Sequence, residues 1–591
     1  MLHVPPAGDF PGTGPQGNGI APSIKSQAQW IDRMKSSGCQ PCHQLGDKAT
    51  RTLPASLGQF PSSVDAWDRR LKSGQAGAYM ATIIASFGKP RALAMYADWT
   101  DRIAGGEIPS SVPPRPSGLE RNVVITNWDF GDPDGYIHDA ISTDKRHPTV
   151  NANGPIYGAA EVSSDKIAVL DPVRNVASSI TVPVRDTDTP FAAPQRSPAP
   201  SPYFGDSPIW TGKTNVHNIM LDQAGRLWIT SVIRPPDNPA FCKQGSDLLS
   251  AKLFPLSSSG RQLSMYDPKT GKFTLIDLCF TTHHLQFADD GDDTLWFSTP
   301  GGEVAGWFDT KKFGETGDEK MAQGWTAFVV DTNGNGKRDA VITEPGQAAD
   351  PGKDQRIRAG FYSVIENPVD HSIWGAVNTF PGAIVRLELG AAPPATVKTE
   401  IYEPPVDDPA APVHGFTPRG IDVDRNGVIW TNLSGSSHLA SFDRRKCKGP
   451  LNGPAATGKQ CPEGWTLYPL PGPQFEGVSA SGSAGSTYYV WVDQFNTLGL
   501  GENVPIAMGN GSDSLMALLP GAKQFVVLRV PYPMSFFVKA VDGRIDDPAG
   551  GWKGRGIWAA SGTRAPWHIE GGLGERPKVT KFQIRPSPLA D

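Results

Sequence analysis

Near the amino terminus, Cys39-Gln40-Pro41-Cys42-His43 places two thiols three positions apart, with an imidazole directly behind the second. C-x-x-C-H is the spacing at which a c-type haem is attached. Two thioethers hold the porphyrin edge, and the adjacent histidine reaches the iron axially. The competing readings are a chance cysteine pair and a thioredoxin-like redox pair. Helix-compatible sequence from Gln27 to Ser37 precedes the motif and no βαβ pattern surrounds it, which favours haem. One covalent haem c on Cys39, Cys42 and His43 is therefore expected. Such haem is attached outside the bacterial cytoplasm, so a periplasmic protein is expected, its leader replaced by Met1. Met1-Leu2-His3-Val4 runs into Pro5-Pro6 without a charged or apolar leader segment. The other four cysteines suit that compartment. Proximity predicts disulfides Cys447–Cys461 and Cys242–Cys279, although four cysteines allow three pairings.

Two further groups of residues could do chemistry. His138, His217, His284 and His414 recur through the chain, with Arg419 five residues after the last. Converging neutral imidazoles suit a second transition metal such as iron, copper or zinc; uncoordinated, they would cap strands. Asp331-Thr332-Asn333-Gly334-Asn335-Gly336-Lys337-Arg338-Asp339 reads as the first part of an EF-hand-like calcium loop. Side-chain oxygens of Asp331, Asn333, Asn335 and Asp339 and the carbonyl of Lys337 would be the ligands. Ile342 stands where the closing glutamate belongs, and Glu344 is the nearest substitute.

The elements that must position these groups fall into two regions. Residues 24–105 read as a small helical unit, with helices from Ser26, from Val64 to Ser73 and from Arg91 to Ala104. This unit resembles a single-haem class I cytochrome c domain of the kind fused to periplasmic dehydrogenases. That resemblance implies a distal methionine in a loop after the motif. Ser73 to Met80 matches such a loop, so Met80 is the expected sixth ligand; Met95, at helical spacing, suits core packing better. Residues 1–23 form an extended arm, and 106–121, with Pro113, Pro114 and Pro116, a stiff linker.

Over 122–591 one unit recurs: a strand, a Gly turn and an apolar-Trp strand, as in Asp222 to Thr230 and Asp424 to Thr431, followed by a second hairpin. Outer hairpins near 167, 263, 305, 383, 439, 514 and 578–584 predict a seven-bladed β-propeller, mainly β, closed by Asn122 to Thr126. A pair of β-sandwiches is the alternative. His217 and His284 precede Trp228 and Trp296 by 11 and 12 residues and so begin innermost strands; His138 and Arg419 hold the equivalent position. The polar stretch 139–153 reads as a solvated loop, with a lining of the propeller mouth as the alternative, and 185–209, rich in Pro and Ser, as a surface excursion. The repeats are similar to those of virginiamycin B lyase and its propeller relatives. In that family histidines near the mouth serve a magnesium-assisted elimination, which the resemblance carries to His217 and His284 and loosely to His414.

Composition narrows the function. Lys+Arg 55 against Asp+Glu 60 gives a net charge of −5, without the basic excess of a nucleic-acid binder. No run of 18 apolar residues could span a bilayer. Dinucleotide, P-loop and H-E-x-x-H motifs are absent, as are the docking repeats of quinoprotein dehydrogenases. The sequence therefore points to an oxidoreductase, a cytochrome c-linked dehydrogenase or oxidase. It oxidises a small molecule at the propeller mouth and passes electrons through haem c to a soluble or membrane-bound acceptor. The alternatives are a metal-assisted lyase or hydrolase and a non-enzymatic electron-transfer module.

Overall fold

The computed structural model describes residues 2–109, 112–478, 482–562, 564 and 572–586. Helices occupy most of 27–104. The Ser26 and Ser62 side chains each accept from the backbone N–H three residues on, capping Gln27–Asp32 and Ser63–Arg70. Lys89–Ala104 buries Leu93, Met95, Tyr96 and Trp99, the stripe its sequence period demands. One helix departs from the sequence reading. Met80, expected in a loop, lies in the helix Gly77–Phe87. That segment, Gly-Ala-Tyr-Met-Ala-Thr-Ile-Ile-Ala-Ser-Phe, has no charged stripe to mark a helix. The arm packs on this unit: Leu2, Val4 and Ile20 share a core with Trp30, Phe87 and Trp99.

Among the described residues seven sheets follow, each with four antiparallel strands, and one of them is extended by a parallel pairing of Val330 with Thr399. Their first strands are Ala140–Ile141, Ile219–Leu221, Leu285–Phe287, Ser363–Glu366, Pro418–Val423, Thr487–Asp493 and Val538–Ile545. These seven strands contact one another in a closed ring, which makes the fold a seven-bladed propeller. Val123–Asp129 pairs antiparallel with Lys578–Ile584 and closes the last blade, with Val123 opposite Ile584. Every outer hairpin read from the sequence falls on the third strand of a blade.

The repeated Gly-turn-Trp unit is the hairpin between first and second strands. Asp222 Oδ1 accepts from Ala224 N and Arg226 N, and Oδ2 from Trp228 Nε1 at 3.0 Å. Asp424 repeats this with Asn426 N, Val428 N and Trp430 Nε1. Gly225 and Gly427 sit at φ +79° and +78°, a left-handed turn position that favours glycine. Neighbouring blades then bury their apolar faces against each other, as Ile141, Tyr157 and Ile167 do against Ile219 and Leu227.

Both expected disulfides are present. Cys242–Cys279 and Cys447–Cys461 have Cα separations of 5.3 and 5.0 Å. The first part of the 139–153 segment, read as solvated, is buried. Ser142, Thr143 and Asp144 are buried, because their segment crosses the channel at the ends of the first strands. There Asp542 accepts from Ser142 N and Thr143 N, Lys145 pairs with Asp422, and Arg146 with Asp293. Residues 185–209 are mostly exposed or half-buried, as a surface excursion should be, and they also reach the helical unit: Ala199 N donates to Lys72 O and Gly74 N to Ala199 O. Gln75 Nε2 donates to Pro194 O and Trp210 O at 2.9 Å. No described helix is long and apolar enough to cross a membrane.

Candidate functional site

In each blade the first strand starts at the end of the channel opposite the Ser142–Arg146 plug. The residues at or just before that start are His138, His217, His283 and His284, Tyr362, Arg419, Tyr488 and Tyr489, and Lys539. One register position, repeated seven times, thus builds the mouth.

Its first three blades supply imidazoles. A ligand nitrogen from each of His138, His217 and His284 lies within 4.8 Å of the others. Ring centroids are 3.9 Å apart for His138–His217 and 5.1 Å for His217–His284. Carboxylates stand behind two of them. Asp139 Oδ1 is 2.8 Å from His138 Nδ1, and Glu161 Oε1 is 2.8 Å from His217 Nδ1. The opposite nitrogens, His138 Nε2 and His217 Nε2, are buried without a hydrogen-bond partner. Burial, reinforced by neighbouring His138, pushes His217 down to about 3, and burial holds His138 and His284 well below the usual range. All three rings are therefore neutral bases at neutral pH. Burial opposes the charge on Glu161, but Arg564 and His217 outweigh it and keep that carboxyl well below its ordinary range. His283, which the sequence reading omits, stacks between His217 and His284 at 4.3 and 4.2 Å.

The remaining blades supply phenols and cations. Tyr489 OH is 2.8 Å from His284 Nε2, and Tyr362 OH is 2.9 Å from Tyr488 OH. The Arg419 guanidinium lies 3.8 Å over the Tyr488 ring and donates to Tyr362 OH. Its other arm donates to the carbonyl of Ser36, so the helical unit covers this side. Lys35 Nζ, pushed down to about 7 by burial, donates to Ser437 Oγ and Ser483 O at 2.7 Å. Lys539, also held near 7 by burial with Arg564 close by, donates to Tyr136 OH.

Beside the mouth, the helical unit and residues 192–210 enclose a cavity of about 420 Å³. Its wall carries Cys39, Cys42, His43 and Met80 together, and Met95 is not among the lining residues. Neither cysteine is in a disulfide, and Cys39 Sγ is 3.0 Å from Tyr96 OH. Burial, then Arg70, lowers His43 to about 4, leaving a neutral imidazole. Two free thiols, a neutral imidazole and a thioether around a largely apolar hollow form the donor set that a c-type haem requires. Arg564 joins the two places: it lines the cavity and donates to Glu161 through Nη2 and Nε, at 2.6 and 3.0 Å.

Two expectations need correction. His414 lies in the connection before Pro418–Val423 and is not in the histidine cluster, because Arg419 holds its blade's register position. In the 331–339 loop, Asp331 Oδ1 and Oδ2 accept from Gly334 N and Gly336 N, and the Asn333 and Asn335 amides face Asp339. Lys337 N donates to Asn335 Oδ1 in the same loop. Glu344 does not close it, since its carboxylate pairs with Arg356 at 2.7 Å. Asp354 stands there instead. It is 0 % exposed, its Oδ2 accepts from Asp339 N and its Oδ1 has no partner. Burial, with Asp339 and Asp331 nearby, pushes its carboxyl up to about 6.

One signal could have found more of the mouth. Tyr362 precedes Trp374 by 12 residues, the offset that marks His284, and Arg419 precedes Trp430 by 11.

The chain matches no known family profile and no curated protein. Among solved structures it is similar to a streptogramin B lyase, at 10% identity and a TM-score of 0.42, over 79% of this chain and 100% of that one. Virginiamycin B lyase from Staphylococcus aureus gives 9% and 0.41 over 78% and 100%. The WD40 repeats of RRP9 give 9% and 0.40 over 77% and 98%. The blade count rests on the sheet topology itself.

Proposed function

We propose that this chain is a periplasmic oxidoreductase in which a small molecule is oxidised at the propeller mouth and electrons leave through a haem c in the helical unit. One observation carries the reading. The cavity lined by Cys39, Cys42, His43 and Met80 shares Arg564 with the mouth, where that guanidinium holds Glu161 and Glu161 holds His217.

A haem held there would supply one-electron transfer to an external carrier. Cys39 and Cys42 would hold it covalently, and His43 and Met80 would ligate its iron. The neutral imidazoles of the mouth are bases able to accept a proton from a bound substrate. Arg564 keeps Glu161 ionised, which fixes the His217 ring with its Nε2 facing inward. The plug at Ser142–Arg146 closes the far end of the channel, and the helical unit covers the phenol side. The protein is extracytoplasmic in this reading, with two disulfides in support.

The test is maturation in a periplasm that attaches c-type haem. The expected product has one haem per chain that survives acid–acetone extraction, gives a two-thioether haemochrome spectrum, and is absent from Cys39→Ser/Cys42→Ser. A folded chain without covalent haem would overturn the reading.

For the 331–354 loop the fitting occupant is a structural calcium ion, with Asp354 in the place Glu344 was expected to take. Calcium should raise the melting midpoint, EDTA should lower it, and Asp354→Asn should abolish the difference.

A further inference from the structure

We infer that His138, His217 and His284 bind a divalent first-row transition ion at the propeller axis, distinct from any haem iron. The inference deepens the oxidoreductase reading by naming its centre, but ion binding does not depend on haem.

Three observations converge. The three rings come from three different blades, yet their ligand nitrogens fall within 4.8 Å of one another. Blade register alone would bring the backbones to a common circle, and side chains on such a circle can point anywhere. Here they point at each other. Second, His138 Nε2 and His217 Nε2 are orphaned in the interior, the rings being 1 % and 3 % exposed. Each forfeits the hydrogen bond it had in water, and the two belong to rings whose centroids are only 3.9 Å apart. Third, the far nitrogen of each of these rings faces a carboxylate: His138 Nδ1 faces Asp139 and His217 Nδ1 faces Glu161, both at 2.8 Å. A carboxylate behind an imidazole fixes the tautomer that puts the lone pair on the inner nitrogen, and it raises the basicity of that nitrogen. Metal-ligating histidines have this support.

The outer supports are themselves held. Asn218 Nδ2 donates to Asp139 Oδ2, and Arg564 spans Glu161. Tyr489 OH fixes the ring of His284, which is only partly buried and so faces the mouth. The donor set is three imidazoles. That excludes calcium and magnesium, which take oxygen, and selects iron, copper or zinc. Three protein ligands leave a coordination position for water or substrate, the arrangement of a catalytic rather than a closed structural site.

The experiment uses the purified haem-loaded chain. It is stripped with a chelator and equilibrated separately with Fe(II) under anaerobic conditions, Cu(II) and Zn(II) as simple salts, then gel-filtered. Metal per chain is read by mass spectrometry and haem by its absorbance. One retained ion per chain above the haem iron is expected with at least one metal. The ion should be lost in His138→Ala/His217→Ala with the haem spectrum unchanged. Glu161→Gln should keep it with affinity lowered about 10–100-fold, and His414→Ala should leave it unaffected. Should the double variant fail to fold, the Cu(II)-loaded parent decides: electron paramagnetic resonance should show splitting from imidazole nitrogens. No ion above haem iron with any of the three metals, retention in the double variant, or a Cu(II) spectrum without nitrogen coupling would each overturn the assignment. A chain that binds the ion and carries no haem would instead keep this site and remove the haem reading.

Discussion

The mouth is drawn from one register position in seven blades, yet its two sides differ in how their polar groups are satisfied. On the side of His138, His217 and His284, the outer nitrogens are tied to carboxylates and two inner nitrogens are tied to nothing. On the side of Tyr362, Arg419 and Tyr488, the Arg419 guanidinium reaches Tyr362 OH and the Ser36 carbonyl, and the phenols bond each other. Each orphaned nitrogen costs about 1–3 kcal/mol of folding stability. A fold that tolerates two side by side has its valences open toward a ligand. The opposite side commits both amino groups of Arg419, leaving its Nε without a partner, and its contacts with the helical unit continue with Ser36 Oγ on Ser434 Oγ at 2.9 Å and Gln44 Nε2 on Asp513 at 2.8 Å. One side is a site and the other a seat.

The sharpest break between the two sides is expected from function. His138→Ala/His217→Ala should slow substrate-driven haem reduction about 10³-fold, the several kcal/mol that a Lewis-acidic centre supplies. Proteolytic resistance of the 106–121 linker should stay as in the parent. Equal turnover in parent and variant would move the chemistry off the histidine side. Arg419→Ala should do the reverse. It leaves the Ser36 carbonyl and the Tyr362 hydroxyl without their donor, at about 1–3 kcal/mol each. The linker should then be cut faster and the melting midpoint should fall, while the bound ion is retained. Loss of the ion in Arg419→Ala would mean that seat and site are one structure.

How much of this was legible follows from what repeats. The Asp-Gly-Trp hairpin returns with a fixed offset, so blade number, ring closure and the places of His217, His284 and Arg419 could be read directly. The two disulfides were legible because cysteines are few and each pair lies close in sequence. The helix Gly77–Phe87 was not, since an uncharged apolar run carries no period. Nor was the plug: Lys145 and Arg146 look solvated until Asp422 and Asp293, far along the chain, are placed opposite them. Glu161, Arg564 and Asp354 escaped for the same reason. Each matters through a partner 15 to 403 residues away, and no local pattern records such a pairing. Blade 6 has no tryptophan in Val504–Gly509, so Tyr488 and Tyr489 lacked the marker that finds Tyr362.

Proton linkage offers a graded test of the seat. Lys35 is held near 7 in the folded chain against an ordinary 10.5, and Lys539 likewise. Between those values the unfolded chain binds protons that the folded chain does not, so stability rises with pH. The slope is at most about 1.4 kcal/mol per pH unit for each lysine. Lys35→Met should remove one lysine's share of the slope measured between pH 7.5 and 9.5. Below 7 the signs mix: Asp32, raised to about 6 by burial, makes stability fall as pH rises from its ordinary 3.8, whereas His438, lowered to about 4 by burial and Lys35, makes it rise toward 6.5. An unchanged slope in Lys35→Met above 7 would show that this amine is not desolvated by docking.

The smallest effect is expected where the two sides touch. Tyr489 belongs by blade to the phenol side, but its hydroxyl crosses to His284 Nε2 at 2.8 Å. Tyr489→Phe removes that one hydrogen bond, worth about 0.5–1.5 kcal/mol, and leaves the ring in place against His284 at 4.8 Å between centroids. If the hydroxyl only orients the third imidazole, ion affinity should fall less than tenfold and the Cu(II) spectrum should keep its nitrogen couplings. If the phenol side were part of the centre, the ion would be lost outright or its spectrum would change class. The measurement therefore separates a neighbour that steadies a ligand from a ligand field that includes it. The carboxylates behind His138 and His217 predict the first outcome, since they anchor two of the three rings without any help from Tyr489.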